Sequence, residues 1–255
     1  MDNQINNRGQ VTMFIIVGIL IFVAILLVFY FTGRISFTED HIQNPEAYLE
    51  NCMVSSAKEA ENIIFSSNGY PKLESNYILY NKEKVPYLCT VSEFYNTCIP
   101  QEPAFFNYIN NLMENKVAVD TETCLDSLVK EFEKRGYSIE VNPGNITLKI
   151  QKESIYVNFG KVMYLTKQED TKQIGNIHSN YGTNLYNLLK LEQMIVNYES
   201  TLCEFNKMDW MKEDKDIIVS TIRTSDQTKI YTLQDRMTGK EIKFAIKTCV
   251  LPAGI

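Results

Sequence analysis

Six cysteines carry most of the chemical potential of this chain: Cys52, Cys89, Cys98, Cys124, Cys203 and Cys249. None forms a Cys-x-x-Cys pair, and only two histidines, His41 and His178, accompany them. A zinc site needs clustered Cys and His ligands, so this spacing suits one poorly. An even count beyond an apolar N-terminal run fits disulfides in an oxidising compartment, the alternative being unpaired buried thiols in a cytosolic domain. Many pairings are open. We take Cys89–Cys98 as a local loop closure, with Cys52–Cys124 and Cys203–Cys249 as the longer bridges. Each would add about 2–4 kcal/mol. Asn145-Ile146-Thr147 is a glycosylation sequon on the turn expected after Pro143-Gly144.

Other chemical constellations are weak. His178-Ser179-Asn180 holds a nucleophile beside a base, but adjacent side chains rarely face one another, and the stretch reads as loop. The pairs Asp120/Glu122 and Glu131/Glu133 read as helix-cap and solvated-face charges. Asp214-Lys215-Asp216 is too short for an EF-hand loop and lacks the spaced Glu. No HExxH, GxSxG, GxGxxG or P-loop occurs. The expectation is a non-enzymatic protein with no cofactor and no metal. The 15 tyrosines could furnish an adhesive surface, but they fit antiparallel strands better.

Composition narrows the partners. The 255 residues are 45% hydrophobic and 22% charged, with a net charge of -6. No Lys/Arg run offers a phosphate-tracking stripe, so nucleic acid is not an expected partner. The acidic balance gives no electrostatic reason to bind anionic lipid.

The elements that must position these residues begin with Val11–Thr32, an uncharged run. At ~1.5 Å per residue it reaches roughly 33 Å, matching a hydrocarbon core of about 30 Å. Tyr30 and Arg34 stand where an interfacial anchor belongs. The run exceeds a secretory h-region and no small-x-small site follows, so a retained signal anchor is expected. The division is a tail at 1–10, a transmembrane helix at 11–33, a connector at 34–44 and an extracytoplasmic domain at 45–255, with candidate sub-units 45–166 and 183–255. The bilayer contacts residues 11–32.

In the outer domain, Asn44-Pro45 opens a helix that Ser67-Asn68-Gly69 ends. Residues 76–81 and 84–90 form a hairpin around Lys82-Glu83, Pro86 marking its second strand as an edge. Helices are expected at 103–115 and 120–135, the latter capped by Asp120 or Thr121. Strands follow at 137–141, 145–151 and 154–165, with a bulge at Gly160. Residues 166–182 are polar and read as a linker. A helix at 183–205 carries Leu188, Leu191, Ile195, Tyr198 and Leu202 on one face, and strands at 216–223, 228–235 and 241–249 close the chain. Helix–strand–strand–strand thus occurs twice, at 120–165 and 183–249, without a residue-level match. The fold class is α+β: one N-terminal transmembrane helix, then helices packed on antiparallel sheets.

The start Arg8-Gly9-Gln10-Val11-Thr12-Met13-Phe14-Ile15-Ile16-Val17-Gly18-Ile19 resembles that of a family of uncharacterised membrane-anchored surface proteins of DPANN archaea. Glu50-Asn51-Cys52, the Cys124 helix leading to Gly136-Tyr137, the helix ending near Cys203 and the closing strands fall in a similar order. The resemblance implies an archaeal cell-surface location and no chemistry. Cys89 and Cys98 are additional to the family pattern, which supports pairing them together. The same N-terminus is similar to class III, type IV pilin-like signals, which are cut after a Gly preceded by a basic residue. That likeness implies processing between Gly9 and Gln10, although Phe14 stands where many pilins carry Glu. The expected function is a membrane-anchored surface protein with a binding or envelope-structural role, its partner another surface protein or a second copy of itself. The rivals are a filament subunit polymerising through its apolar helix, and a surface hydrolase without a recognisable motif.

Overall fold

The computed structural model describes residues 16–23, 44–213 and 215–251. Two compact units divide the chain, Met1–Pro45 and Glu46–Ile255. In the first, residues 16–23 are helical, uncharged and exposed throughout. The rest of the expected membrane helix, the tail with Gly9 and Gln10, and the connector up to residue 43 lie outside the described residues. Among the described residues no helix is long and apolar enough to cross a membrane.

The second unit is α+β. Helix α1, Pro45–Ser66, buries Leu49, Met53, Ala57, Ala60 and Ile64, one face at steps of three and four. Its end is set by backbone chemistry. Asn68 (φ 51°) and Gly69 (φ 84°) enter the left-handed region, and the Gly69 amide donates to the Ile64 carbonyl at 2.9 Å. A Cβ on Gly69 would also lie 2.9 Å from the Phe105 ring.

Helix α2 runs unbroken from Phe105 to Lys134, where two helices were expected. Neither Gly nor Pro interrupts 115–120, and Phe105, Ile109, Met113, Val117, Thr121, Leu125, Leu128 and Phe132 form one continuous buried stripe. Asp120 is therefore mid-helix, not a cap; it accepts from Ser56 and Lys116. Gly136 (φ 83°) stops the helix, and Tyr137 donates back to the Phe132 carbonyl at 3.1 Å.

Strands β1 (Tyr77–Tyr80) and β2 (Glu83–Thr90) form the expected hairpin. Asn81 and Lys82 both hold positive φ in its turn, the conformation that matches strand twist. β2 is not an edge. The principal sheet runs β1-β2-β12-β11-β10, where β10 is Ile217–Arg223, β11 Lys229–Asp235 and β12 Glu241–Ile246, and short β3 (Ile99–Pro100) also pairs with β2. The β2–β12 pairing is parallel and involves Tyr87 and Cys89. Pro86, with no amide hydrogen to give, lies just before that ladder begins. Among the described residues the sheets are therefore antiparallel except at this one pairing.

Residues 138–182 form two three-stranded antiparallel sheets in which each strand of one continues into a strand of the other. The three chain paths are β4–β5 (Ser138–Asn142, Thr147–Gln151), β6–β7 (Ser154–Asn158, Val162–Lys167) and β8–β9 (Asp170–Ile174, His178–Gly182). The sheet orders are β4-β7-β8 and β5-β6-β9. Each path bends at a glycine: Gly144, Gly160 or Gly175. The register slips by one residue at the bend. Asn142 opposes Val162 in one half, and Thr147 opposes Asn158 in the other. Gly160 thus divides a run expected to be one strand, and 166–182 is strand, not linker. Its polar sequence reflects β8, four of whose five residues are exposed.

Helix α3, Leu185–Leu202, packs on α2, β2, β3, β5, β11 and β12. Leu188, Leu191 and Ile195 are buried as expected, but Tyr198 and Leu202 are exposed. Near its C-terminal end the buried face passes instead through Val196 and Glu199. A short helix α4, Lys207–Glu213, leads into β10. Three disulfides tie the unit: Cys52–Cys124 joins α1 to α2, Cys89–Cys98 joins β2 to the start of β3, and Cys203–Cys249 joins the end of α3 to the segment after β12. Their Cα separations of 6.6, 5.3 and 5.8 Å suit the bond.

Candidate functional site

Four acidic residues are buried among the described residues: Asp235, which accepts from the Met237 amide and the Thr238 hydroxyl in its own turn, and three glutamates whose fates differ. Glu199 accepts from the Lys229 ammonium at 2.9 and 2.7 Å and from the Tyr231 hydroxyl. Lys229 also donates to the Cys203 carbonyl at 2.6 Å, closing the end of α3 onto β11. Burial, then the bond to Glu199, pushes the Tyr231 phenol well up. Glu61 accepts from Tyr181 at 3.0 Å, from Thr183 and from Lys240. Burial and Glu61 push Tyr181 up to about 12. Both carboxylates are thus consumed in joining helices to strands, which a paired buried charge can do and a lone one cannot.

Glu192 has no such partner. Its side chain lies on the buried face of α3 at 0% exposure, and neither carboxyl oxygen has a hydrogen-bond partner among the described residues. Burial alone raises its proton affinity well above the usual carboxylate range. Glu192 lines a cavity of about 80 Å³. The walls are apolar, from Leu88, Pro100, Pro103, Phe105 and Val196. Glu102, Gln193 and Asn197 supply the polar rim, of which Asn197 is exposed and the other two half-buried. Behind Phe105, Tyr70 stacks at 5.6 Å and itself stacks on Tyr108 at 5.5 Å. Burial, then the charges of Glu192 and Glu102, hold the Tyr70 proton well above the ordinary phenol range.

The local sequence explains the placement. Glu192 is surrounded at helical spacing by Leu188, Leu189, Ile195 and Val196, all buried, so the helix cannot turn it outward without exposing them. The rim is held by Cys98, which precedes β3 and is bridged to Cys89, and by the Gln101 amide, which donates to the Leu88 carbonyl at 2.8 Å.

The other sequence candidates fall elsewhere. Asn145 is exposed between β4 and β5. His178 and Ser179 are neighbours on β9, not in a loop; the first is exposed and the second buried, so they point to opposite faces and cannot act as a pair. Gly9 and Gln10 are outside the described residues. Among the described residues no group of three or more His, Cys, Asp or Glu is placed to hold a metal ion. No family model matches the chain, and no curated protein and no solved structure matches it. Sequence reasoning missed Glu192, and the available signal was an acidic residue flanked on its own helical face by leucine, isoleucine and valine.

Proposed function

We propose that this chain is a membrane-anchored archaeal cell-surface protein whose outer unit has a non-enzymatic binding or envelope-structural role. The observation that carries the reading is that all six cysteines are paired within unit Glu46–Ile255, as befits an oxidising compartment. The helical stretch 16–23 adds support, because uncharged apolar surface exposed all round calls for a cover, and lipid is one.

The test is to fractionate the native cells and weigh the N-terminal peptide of the recovered protein. Recovery from the detergent-soluble membrane fraction, with a start at Met1 or Asp2 and oxidised cysteines, is the expected result. A start at Gln10 with recovery in sheared filaments would replace the anchor with a pilin-like subunit. Free thiols in the cytosolic fraction would sink both readings.

A further inference from the structure

We propose that the outer edge of β10 and the cleft beside it bind an extended segment of another protein, which adds as a strand and sets an acidic side chain against Arg223. The inference deepens the binding role above and rests on it for its biological meaning, but the geometry stands alone. β10 ends the principal sheet. The Thr224 amide donates to the Thr228 carbonyl and the Arg236 amide to the Asp216 carbonyl, both at 2.9 Å. Between these bonds the register runs from Ile217–Asp235 to Arg223–Lys229. Hydrogen-bonded pairs alternate along an antiparallel ladder, so Ile217, Val219, Thr221 and Arg223 aim their backbone groups away from β11. Ile217 and Val219 are buried, whereas Ser220, Ile222 and Arg223 are exposed and Thr221 is half-buried. No described residue bonds to the backbone of Thr221 or Arg223 from the outer side. An open edge of this kind is a template for a further strand.

The cleft supplies selectivity. Thr221 opposes Tyr231, and Arg223 opposes Lys229, so all four side chains share the face that meets Glu199. Together with the chain from Leu202 to Met208 they line a cleft of about 750 Å³, within the roughly 300–1,000 Å³ of ligand sites. In an added antiparallel strand, the residues opposite Thr221 and Arg223 send their side chains onto this same face. Lys229 is already answered by Glu199. Arg223 and Lys207 have no ion-pair partner among the described residues, and Glu204 is the one acid lining the cleft beside them. On a chain of net charge -6 this cleft is locally basic, and an arginine fork suits a carboxylate. Leu202 and Met208, 66% and 59% exposed, suit an apolar side chain two positions from the acid. A second copy of β10 is a poorer occupant. Paired about its exposed half, it would bring two Arg223 side chains onto one face and answer neither.

The probe is the capped heptapeptide Thr-Val-Thr-Glu-Thr-Val-Thr, labelled with fluorescein and titrated into the full chain in detergent micelles by anisotropy. Saturable binding is expected, roughly tenfold weaker when Lys replaces the peptide's Glu and when the Glu amide is N-methylated. Methylating the next Thr amide, which faces away from β10, should be tolerated. Arg223→Glu should reverse the preference, favouring the Lys peptide. Thr221→Pro removes an outward N–H but no bond to β11, so it should fold and lose binding. No binding, equal binding of the Glu and Lys peptides, or indifference to methylation at Glu overturns the proposal, and these comparisons need only the wild-type chain. Sedimentation of the chain alone covers the remaining occupant: a dimer that Thr221→Pro dissolves would give the edge to a second copy and overturn the proposal too. Cellular fractionation is independent, so a chain that binds the peptide but resides in the cytosol would sink the surface reading and leave this one standing.

Discussion

At the scale of single residues, the contrast between Glu192 and Glu199 is instructive because they lie on one face of one helix. Glu199 has Lys229 and Tyr231, and Glu192 has neither cation nor hydroxyl. The raised proton affinity of Glu192 has a definite sign in stability. Above the unfolded carboxyl value of about 4.3 the unfolded chain releases this proton while the folded one keeps it, so stability falls as pH rises toward the folded value. The slope is about 1.4 kcal/mol per pH unit for one proton. Glu192→Gln removes it. The expected outcome is a higher melting temperature for the variant at pH 7, the difference vanishing near pH 4. Equal melting at both values would show that Glu192 ionises freely in the fold.

At the scale of elements, the row Gly144, Gly160 and Gly175 lets three strand paths bend together. A Cβ on Gly144 would sit 1.9 Å from the Gly160 carbonyl oxygen, and one on Gly160 would sit 2.4 Å from that of Asn145. Backbone atoms, unlike side-chain ends, cannot swing aside. Gly144→Ala and Gly160→Ala should each cost more than about 2 kcal/mol in urea unfolding. Gly182→Ala is the control, its nearest contact being 4.0 Å away, and should change stability by less than about 1 kcal/mol. The same region shows what sequence reading could and could not reach. Helix α1 was legible because Asn44-Pro45 and Ser67-Asn68-Gly69 act locally. The glycine bends were not, because the need for them arises where two strand paths cross. Strands β8 and β9 read as linker because hydrophobic alternation is the signal for a strand, and β8 has little of it. The candidate site was hidden for a related reason: an acid on a helix ordinarily faces water, and the cavity that Glu192 lines is built by β2, β3 and α2, far away in sequence.

At the scale of the whole unit, α3 is the hub and the disulfides are the ties. Loop-closure entropy ranks those ties by the chain they enclose. The separations are 72 residues for Cys52–Cys124, 46 for Cys203–Cys249 and 9 for Cys89–Cys98. Replacing both cysteines of the first by alanine should cost about 4 kcal/mol, and of the last about 3 kcal/mol, read from chemical denaturation of each double variant. The short bridge has the smaller global effect and holds the cavity rim near Pro100 and Glu102. Peptide mapping without reductant tests the three linkages directly.

The position of β12 has a consequence for biosynthesis. It is the last of the described strands to be made, yet it lies between β2 and β11 in the finished sheet. The β1–β2 hairpin therefore leaves the ribosome early and waits with one flank unpaired while more than a hundred residues follow. Contacts that span so much chain form slowly, and an uncovered strand flank is where chains stick to one another. Cys52 and Cys89 also emerge before Cys124, so oxidation in order of appearance would join the wrong thiols. This architecture favours a cell that keeps the early segment shielded and can reshuffle its sulfur bonds until the final strand slides into place.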